Sequence, residues 1–177
     1  MGALEDIEYL KSMYRNTSRH SQYQIMPDFL ADVVDPDRLN KKFNRYERER
    51  MAYFAKKVNF TGAKVLDVGG NTGYFSFEAL TYGACEAVCY EGNKEHVDFV
   101  RLAARLYDKD VAVRQEYLDF SGPLKEGDFD IAMILNVLHH VGFDFGEKNL
   151  TIEHAKELIL KNLNYFADKS TYVIFQI

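Results

Sequence analysis

The residues best suited to chemistry fall in one short run, Asp67-Val68-Gly69-Gly70-Asn71-Thr72-Gly73. Glycine lacks the Cβ that would keep a ligand off the backbone, so Gly69, Gly70 and Gly73 allow a tight turn and a close approach. The run follows an apolar strand pattern, Lys64 to Val68, and opens a helical pattern from Tyr74 to Tyr82 that Gly83 closes. A turn entering a helix aims free amides and the positive dipole end into the space beyond the strand. Asp67, two residues before Gly69, is placed to face a cationic group. A dinucleotide-binding loop needs Gly-x-Gly-x-x-Gly. Counted from Gly69, that register puts Asn71 and Tyr74 where glycines belong. The spacing therefore argues against a pyrophosphate reader and for a ligand with an ammonium and no phosphate.

Further candidates follow later strand patterns. Glu91 ends Val88-Cys89-Tyr90-Glu91, 22 residues after Gly69, close to the roughly 20 at which an acid meets ribose hydroxyls in dinucleotide folds. A carboxylate suits a diol because its two oxygens accept two O–H donors at once. Asp119-Phe120 follows the third strand pattern, with Glu116 competing for the same role, and Asn136-Val137-Leu138-His139-His140 follows the fourth. Histidine titrates near pH 6.5, which suits proton removal from an acceptor. His20, His96 and His154 lie in less informative surroundings and read as surface residues.

The elements that must position these groups alternate. Strands are predicted at Lys64–Val68, Glu86–Glu91, Val111–Gln115, Asp130–Leu135 and Thr171–Ile177. Between them, Asn93 caps a helix running to about Tyr107, and Thr151 caps a longer one with Ile152, Ala155, Leu158, Ile159, Leu163 and Phe166 at helical spacing. Alternating strands and helices imply right-handed crossovers, a parallel sheet covered on both faces, and ligands bound beyond the carboxyl ends of the strands. Before the first strand, Leu4–Tyr14 and Arg38–Val58 read as helices, with Pro27 and Pro36 in a looser stretch between. Residues 1–60 thus form an N-terminal helical extension and 61–177 the ligand-binding domain.

Val65-Leu66-Asp67-Val68-Gly69-Gly70-Asn71-Thr72-Gly73 resembles motif I of the class I, Rossmann-like, S-adenosylmethionine-dependent methyltransferases, usually written Asp/Glu-x-Gly-x-Gly-x-Gly. Asn71 replaces the central glycine, and asparagine is the next most tolerant residue of left-handed backbone. Phe129 to His140 resembles motif IV and its continuation, in the Asn-Val-Leu-His-His form familiar from bacterial methyltransferases, including enzymes that modify surface-polysaccharide chain ends. The resemblance implies an α/β fold, a three-layer α/β/α arrangement with a mostly parallel sheet. Family members have seven strands, of which the strand patterns here would supply five, so the last two are expected to be missing. It also implies S-adenosylmethionine as cofactor. Asp67, Gly69, Gly70, Asn71 and Gly73 would hold it, Glu91 with Gly92 would meet its ribose, Asp119 its adenine amino group with Phe120 beside the ring, and Asn136 its methionine half. His139 and His140 would flank the acceptor, with at most one a general base. Arg45 and Tyr46 lie where family members often fold a helix over the cofactor, and an arginine there would suit the methionine carboxylate.

The function expected is methyl transfer to an oxygen or nitrogen of a small-molecule, sugar or lipid-linked acceptor. The charge of -5 on 177 residues argues against a large nucleic-acid footprint. The basic stretch Arg38–Lys57 keeps RNA methylation as an alternative, and a non-catalytic cofactor-binding module is another. No apolar run reaches the roughly 20 residues of a membrane helix. Cys85 and Cys89 have no His or Cys cluster near them, which argues against zinc and for a reduced, cytoplasmic setting. The strand 171–177 would leave a bare apolar edge. A longer parent chain, a homodimer or the N-terminal segment could cover it.

Overall fold

The computed structural model describes residues 3–16, 24–31, 33, 45–138 and 151–177. Before the sheet come α1 (Ala3–Asn16), α2 (Asp28–Ala31) and α3 (Glu47–Lys57). The sheet region runs β1 (Lys64–Val68), α4 (Tyr74–Thr81), β2 (Glu86–Tyr90), α5 (Lys94–Leu106), β3 (Val111–Arg114), β4 (Phe129–Leu135), α6 (Ile152–Asn164) and β5 (Ser170–Gln176). The strands are ordered β3-β2-β1-β4-β5, and every neighbouring pair is parallel. This is the α/β arrangement expected from the alternation of strands and helices.

A parallel sheet buried on both faces needs strands that are apolar throughout, and β1, β2 and β4 supply that run. Val65, Ala87, Cys89, Ile131 and Met133 face the layer of α1 to α5. Leu66, Val68, Val88, Ala132 and Ile134 face the opposite layer, where Phe166 and the partly buried Ile159 and Leu163 pack. The register sets Asp67 beside Cys89 on one side and Met133 on the other. Chain direction across the sheet reverses at β1, which leads to β2 on one side while β4 lies on the other. That switch point is where open α/β sheets bind ligands.

Two expectations change. The helix read from Arg38 to Val58 begins at Glu47, because Tyr46 has φ 61° and a left-handed residue cannot continue a right-handed helix; 38–44 lie outside the described residues. Leu10, Tyr14, Met26 and Leu30 of the described N-terminal segment bury themselves on α5, with Tyr14 and Phe99 6.0 Å apart, and Arg50 of α3 reaches Gln176 of β5. His96 is not on the surface, being only 3% exposed.

The edge strand itself is as open as its composition suggested. Tyr172, Phe175 and Ile177 are half or more exposed, and α6 has no fully buried residue. No helix among the described residues is long and apolar enough to cross a membrane.

Candidate active site

The loop after β1 alternates left-handed backbone with ordinary backbone. Gly69 has φ 71°, Asn71 φ 53° and Gly73 φ 83°. Two of these positions are glycine, and the third is the asparagine that replaces the motif's central glycine. The amides of Gly69 and Gly70 both donate to the Tyr90 carbonyl, at 2.7 and 3.3 Å, which ties the loop to the end of β2. Gly70 is required for space. A Cβ there would stand 2.4 Å from Cys89 Sγ and 3.0 Å from Asp67 Oδ2. Gly69 meets the segment after β4, since its Cβ would lie 2.6 Å from Val137 Cγ2. The loops after β1 and β4 therefore touch across the switch point.

Glu91 follows β2 and is gripped from two directions. The Asn71 amide donates to its Oε2 at 2.8 Å, and the Asn93 amide to its Oε1 at 2.7 Å. Asn93 also caps α5, its side chain accepting from the amides of Glu95 and His96. Burial works against the Glu91 charge, but His96 and the two amides outweigh it and hold the carboxyl below the usual range. The two amides take two of the carboxylate's about four acceptor positions, and the His96 imidazole stands 3.7 Å from Oε1.

Asp67 lies beneath the loop, 2% exposed, and accepts the Ser76 hydroxyl at 2.7 Å. Burial pushes its carboxyl up to about 6, Ser76 opposes the rise, and the nearby Glu91 charge adds to it. The residue expected to face a cation thus sits under Gly70. From there its field reaches the site through the loop. Thr72 Oγ1, buried in the same loop, has no hydrogen-bond partner among the described residues.

The residues expected around an adenine diverge. Asp119 is exposed and takes the Ser121 hydroxyl at 2.7 Å on each oxygen. Phe120 turns to the opposite layer, edge-on to Tyr165 and Phe166 at 5.8 and 6.0 Å. Glu116 is paired with Lys125 at 2.7 Å. The group that stands over Gly92 is Tyr117, whose ring carbons would lie 2.3–2.6 Å from a Cβ at that glycine. Asn136 has φ 58°, and its amide donates to the Gln176 carbonyl at 3.0 Å, beside β5. His139 and His140 lie outside the described residues.

Two contributions were not foreseen. Gln24 Oε1 accepts the amide of Tyr74, the first residue of α4, at 3.2 Å, so the N-terminal segment reaches the helix that follows the glycine loop. Arg45 and Tyr46 are exposed, whereas Arg50 reaches Gln176 Oε1 at 2.6 Å at the carboxyl end of β5. Nothing in the local sequence marks Gln24. His96 had a signal, because it shares helical spacing with the buried Phe99 and Ala103. Among the described residues no group of His, Cys, Asp and Glu is arranged to hold a metal ion.

The sequence profile of the family described as "Methyltransferase domain" matches residues 66–156, just over half of the chain. Among solved structures, monomeric WbdD superposes with a TM-score of 0.68 at 20% identity, over 94% of this chain and 38% of that one. The bifunctional kinase-methyltransferase WbdD gives 0.64 at 19%, over 95% and 35%. The PH0226 protein of Pyrococcus horikoshii OT3 gives 0.51 at 20%, over 72% and 54%. This chain thus spans little more than a third of the length of WbdD. No curated protein matches it in sequence. The matched profile covers β1, the loop from Gly69 to Gly73, Glu91 and the segment after β4, and by that match the chain belongs to the methyltransferase domain family.

Proposed function

We propose that the chain binds S-adenosylmethionine across the ends of β1, β2 and β4 and transfers its methyl group to an oxygen or nitrogen of a small-molecule, sugar or lipid-linked acceptor. The observation that carries this reading is Glu91. Its carboxylate is fixed by the Asn71 and Asn93 amides, which take two of its about four acceptor positions. That is the chemistry a ribose diol requires, and it stands directly beside the left-handed loop. The orphaned Thr72 hydroxyl fits the same ligand.

When bound, S-adenosylmethionine supplies a methyl group on a sulfonium, open to in-line displacement. The protein's part is alignment, worth about 7–11 kcal/mol in well-oriented systems. The loop from Gly69 to Gly73 positions the ligand between β1 and β2. Glu91 orients the nucleoside, and Asn136, at the end of β4, marks the methionine side. Asp67 keeps a negative field under the loop that favours a cation over a neutral ligand. Proton removal from the acceptor falls to His139 or His140 in this reading.

The sugar and lipid-linked classes draw on the likeness of the Asn136-to-His140 segment to enzymes that modify surface-polysaccharide chain ends. An RNA acceptor finds less support, because the acidic balance of the chain opposes a phosphate footprint. Calorimetry with S-adenosylmethionine, S-adenosylhomocysteine and NAD tests the donor assignment. Both sulfur ligands are expected to bind and NAD to give no heat. NAD binding without either sulfur ligand overturns the reading.

A further inference from the structure

The first turn of α5 carries a histidine at a position the fold treats as core. His96 is 3% exposed and lines the same buried face as Phe99, Val100 and Ala103. An imidazole is costlier to bury than a leucine unless its nitrogens face polar groups. Its Nδ1 stands 3.7 Å from Glu91 Oε1, with the two side chains 4% and 11% exposed. Asn93 links the pair, since its amide binds the same Glu91 oxygen and its side chain accepts the His96 amide at 3.4 Å.

The two amides on Glu91 come from different loops, one after β1 and one after β2. They define where each oxygen sits, and the His96 imidazole stands beside Oε1 together with the Asn93 amide. We propose that His96 is a positioning residue of the candidate site, backing Glu91 so that its carboxylate faces a vicinal diol. This deepens the assignment of Glu91 to the ribose and rests on it. A side chain that merely fills space would support every ligand equally. One that acts through Glu91 matters only when the ligand carries the hydroxyls Glu91 receives.

The experiment uses the whole chain, S-adenosylhomocysteine and its 2′,3′-dideoxyribose analogue, with calorimetry on wild type, His96→Leu and His96→Asn. Wild type is expected to prefer the diol ligand. His96→Leu should weaken the diol ligand about tenfold while leaving the dideoxy ligand unchanged. His96→Asn places an amide near the lost Nδ1 and should restore most of the preference. Equal losses on both ligands, or an undiminished preference in His96→Leu, overturn the role of His96 alone. A wild type that does not distinguish the two ligands overturns the ribose assignment of Glu91 and the proposal with it. Imidazole nitrogen resonances of the wild-type protein provide a check that needs no variant. They should move with the diol ligand and stay with the dideoxy ligand, and equal movement with both refutes the proposal.

Discussion

Asp67→Asn should make the protein more stable and a poorer binder. The carboxyl is buried, and burial moves it from the ordinary 3.8 to about 6. At 1.36 kcal/mol per pH unit, ionising it in the fold costs about 3 kcal/mol more than in the open chain. The sign follows from proton counts. Between about pH 4 and 6 the folded protein keeps a proton that the unfolded chain has lost, so stability falls as pH rises through that window and levels off above it. Asparagine cannot ionise and can still accept the Ser76 hydroxyl, so the variant should lose this slope. It should gain up to about 3 kcal/mol at pH 7, equivalent to about 6–12 °C in Tm for a chain of this size. Urea denaturation followed by circular dichroism from pH 4 to 8 measures the slope directly. Calorimetry with S-adenosylmethionine at pH 7.5 should show affinity reduced about tenfold, or about 1.4 kcal/mol, because the negative field under the loop is gone. Parallel pH profiles for variant and wild type, or a variant less stable at pH 7, would refute the account of Asp67.

Gly70→Ala drives a methyl group against Cys89 Sγ and Asp67 Oδ2 in a closed core and should cost about 1–3 kcal/mol; Cys89→Ala in the same chain should recover part of the loss in a denaturant-midpoint double-mutant cycle. Gly92→Ala meets a ring just as near, at 2.3 Å, but Tyr117 is 75% exposed and can swing away, so the midpoint should move by less than about 0.5 kcal/mol. Glu91→Ala leaves the Asn71 and Asn93 amides without their acceptor and should cost about 1–3 kcal/mol, while Glu91→Gln keeps more of the stability and still loses preference for a diol ligand in calorimetry. Asn71→Gly relieves a left-handed asparagine at φ 53° and should leave the midpoint within about 1 kcal/mol, because Gly also loses the Asn71 side-chain bond to the Thr72 amide and gains unfolded-state freedom.

The sheet was legible because its signal is repeated. The apolar runs at Lys64–Val68, Glu86–Tyr90 and Phe129–Leu135 can be satisfied only by burial on both faces, and the helical patterns between them leave parallel pairing as the solution. The left-handed turn at Asn71 was legible for a local reason, since few residues other than glycine tolerate that backbone. The start of α3 was not, because the pattern from Arg38 onward stays helical in composition while a single dihedral at Tyr46 breaks it. The burial of His96 was missed for a different reason. A lone histidine beside Glu95 reads as polar surface, and only the face it shares with Phe99 and Ala103, together with the position of Glu91 across the β2–α5 turn, places it inside. The path of Phe120 away from the expected adenine site depends on Tyr165 and Phe166, more than forty residues later in the chain. No local pattern carries that contact.

The charges of the candidate site also bear on the ligand proposed for it. The Glu91 charge makes the buried Asp67 harder to ionise, and no lysine or arginine among the described residues forms an ion pair with Asp67. On the proposed reading, a positive group above the loop faces this acid. A ligand with an ammonium and a sulfonium supplies that charge, and its ribose supplies the two O–H donors that Glu91 can still accept. A dinucleotide would supply the hydroxyls but carry its pyrophosphate into a field set by two carboxylates. On the proposed reading, the glycine spacing and the charge of the site both disfavour it, one on steric and one on electrostatic grounds. The second ground is the one that Asp67→Asn removes, so that variant should narrow the gap between S-adenosylmethionine and neutral adenosine in calorimetry without opening the site to NAD.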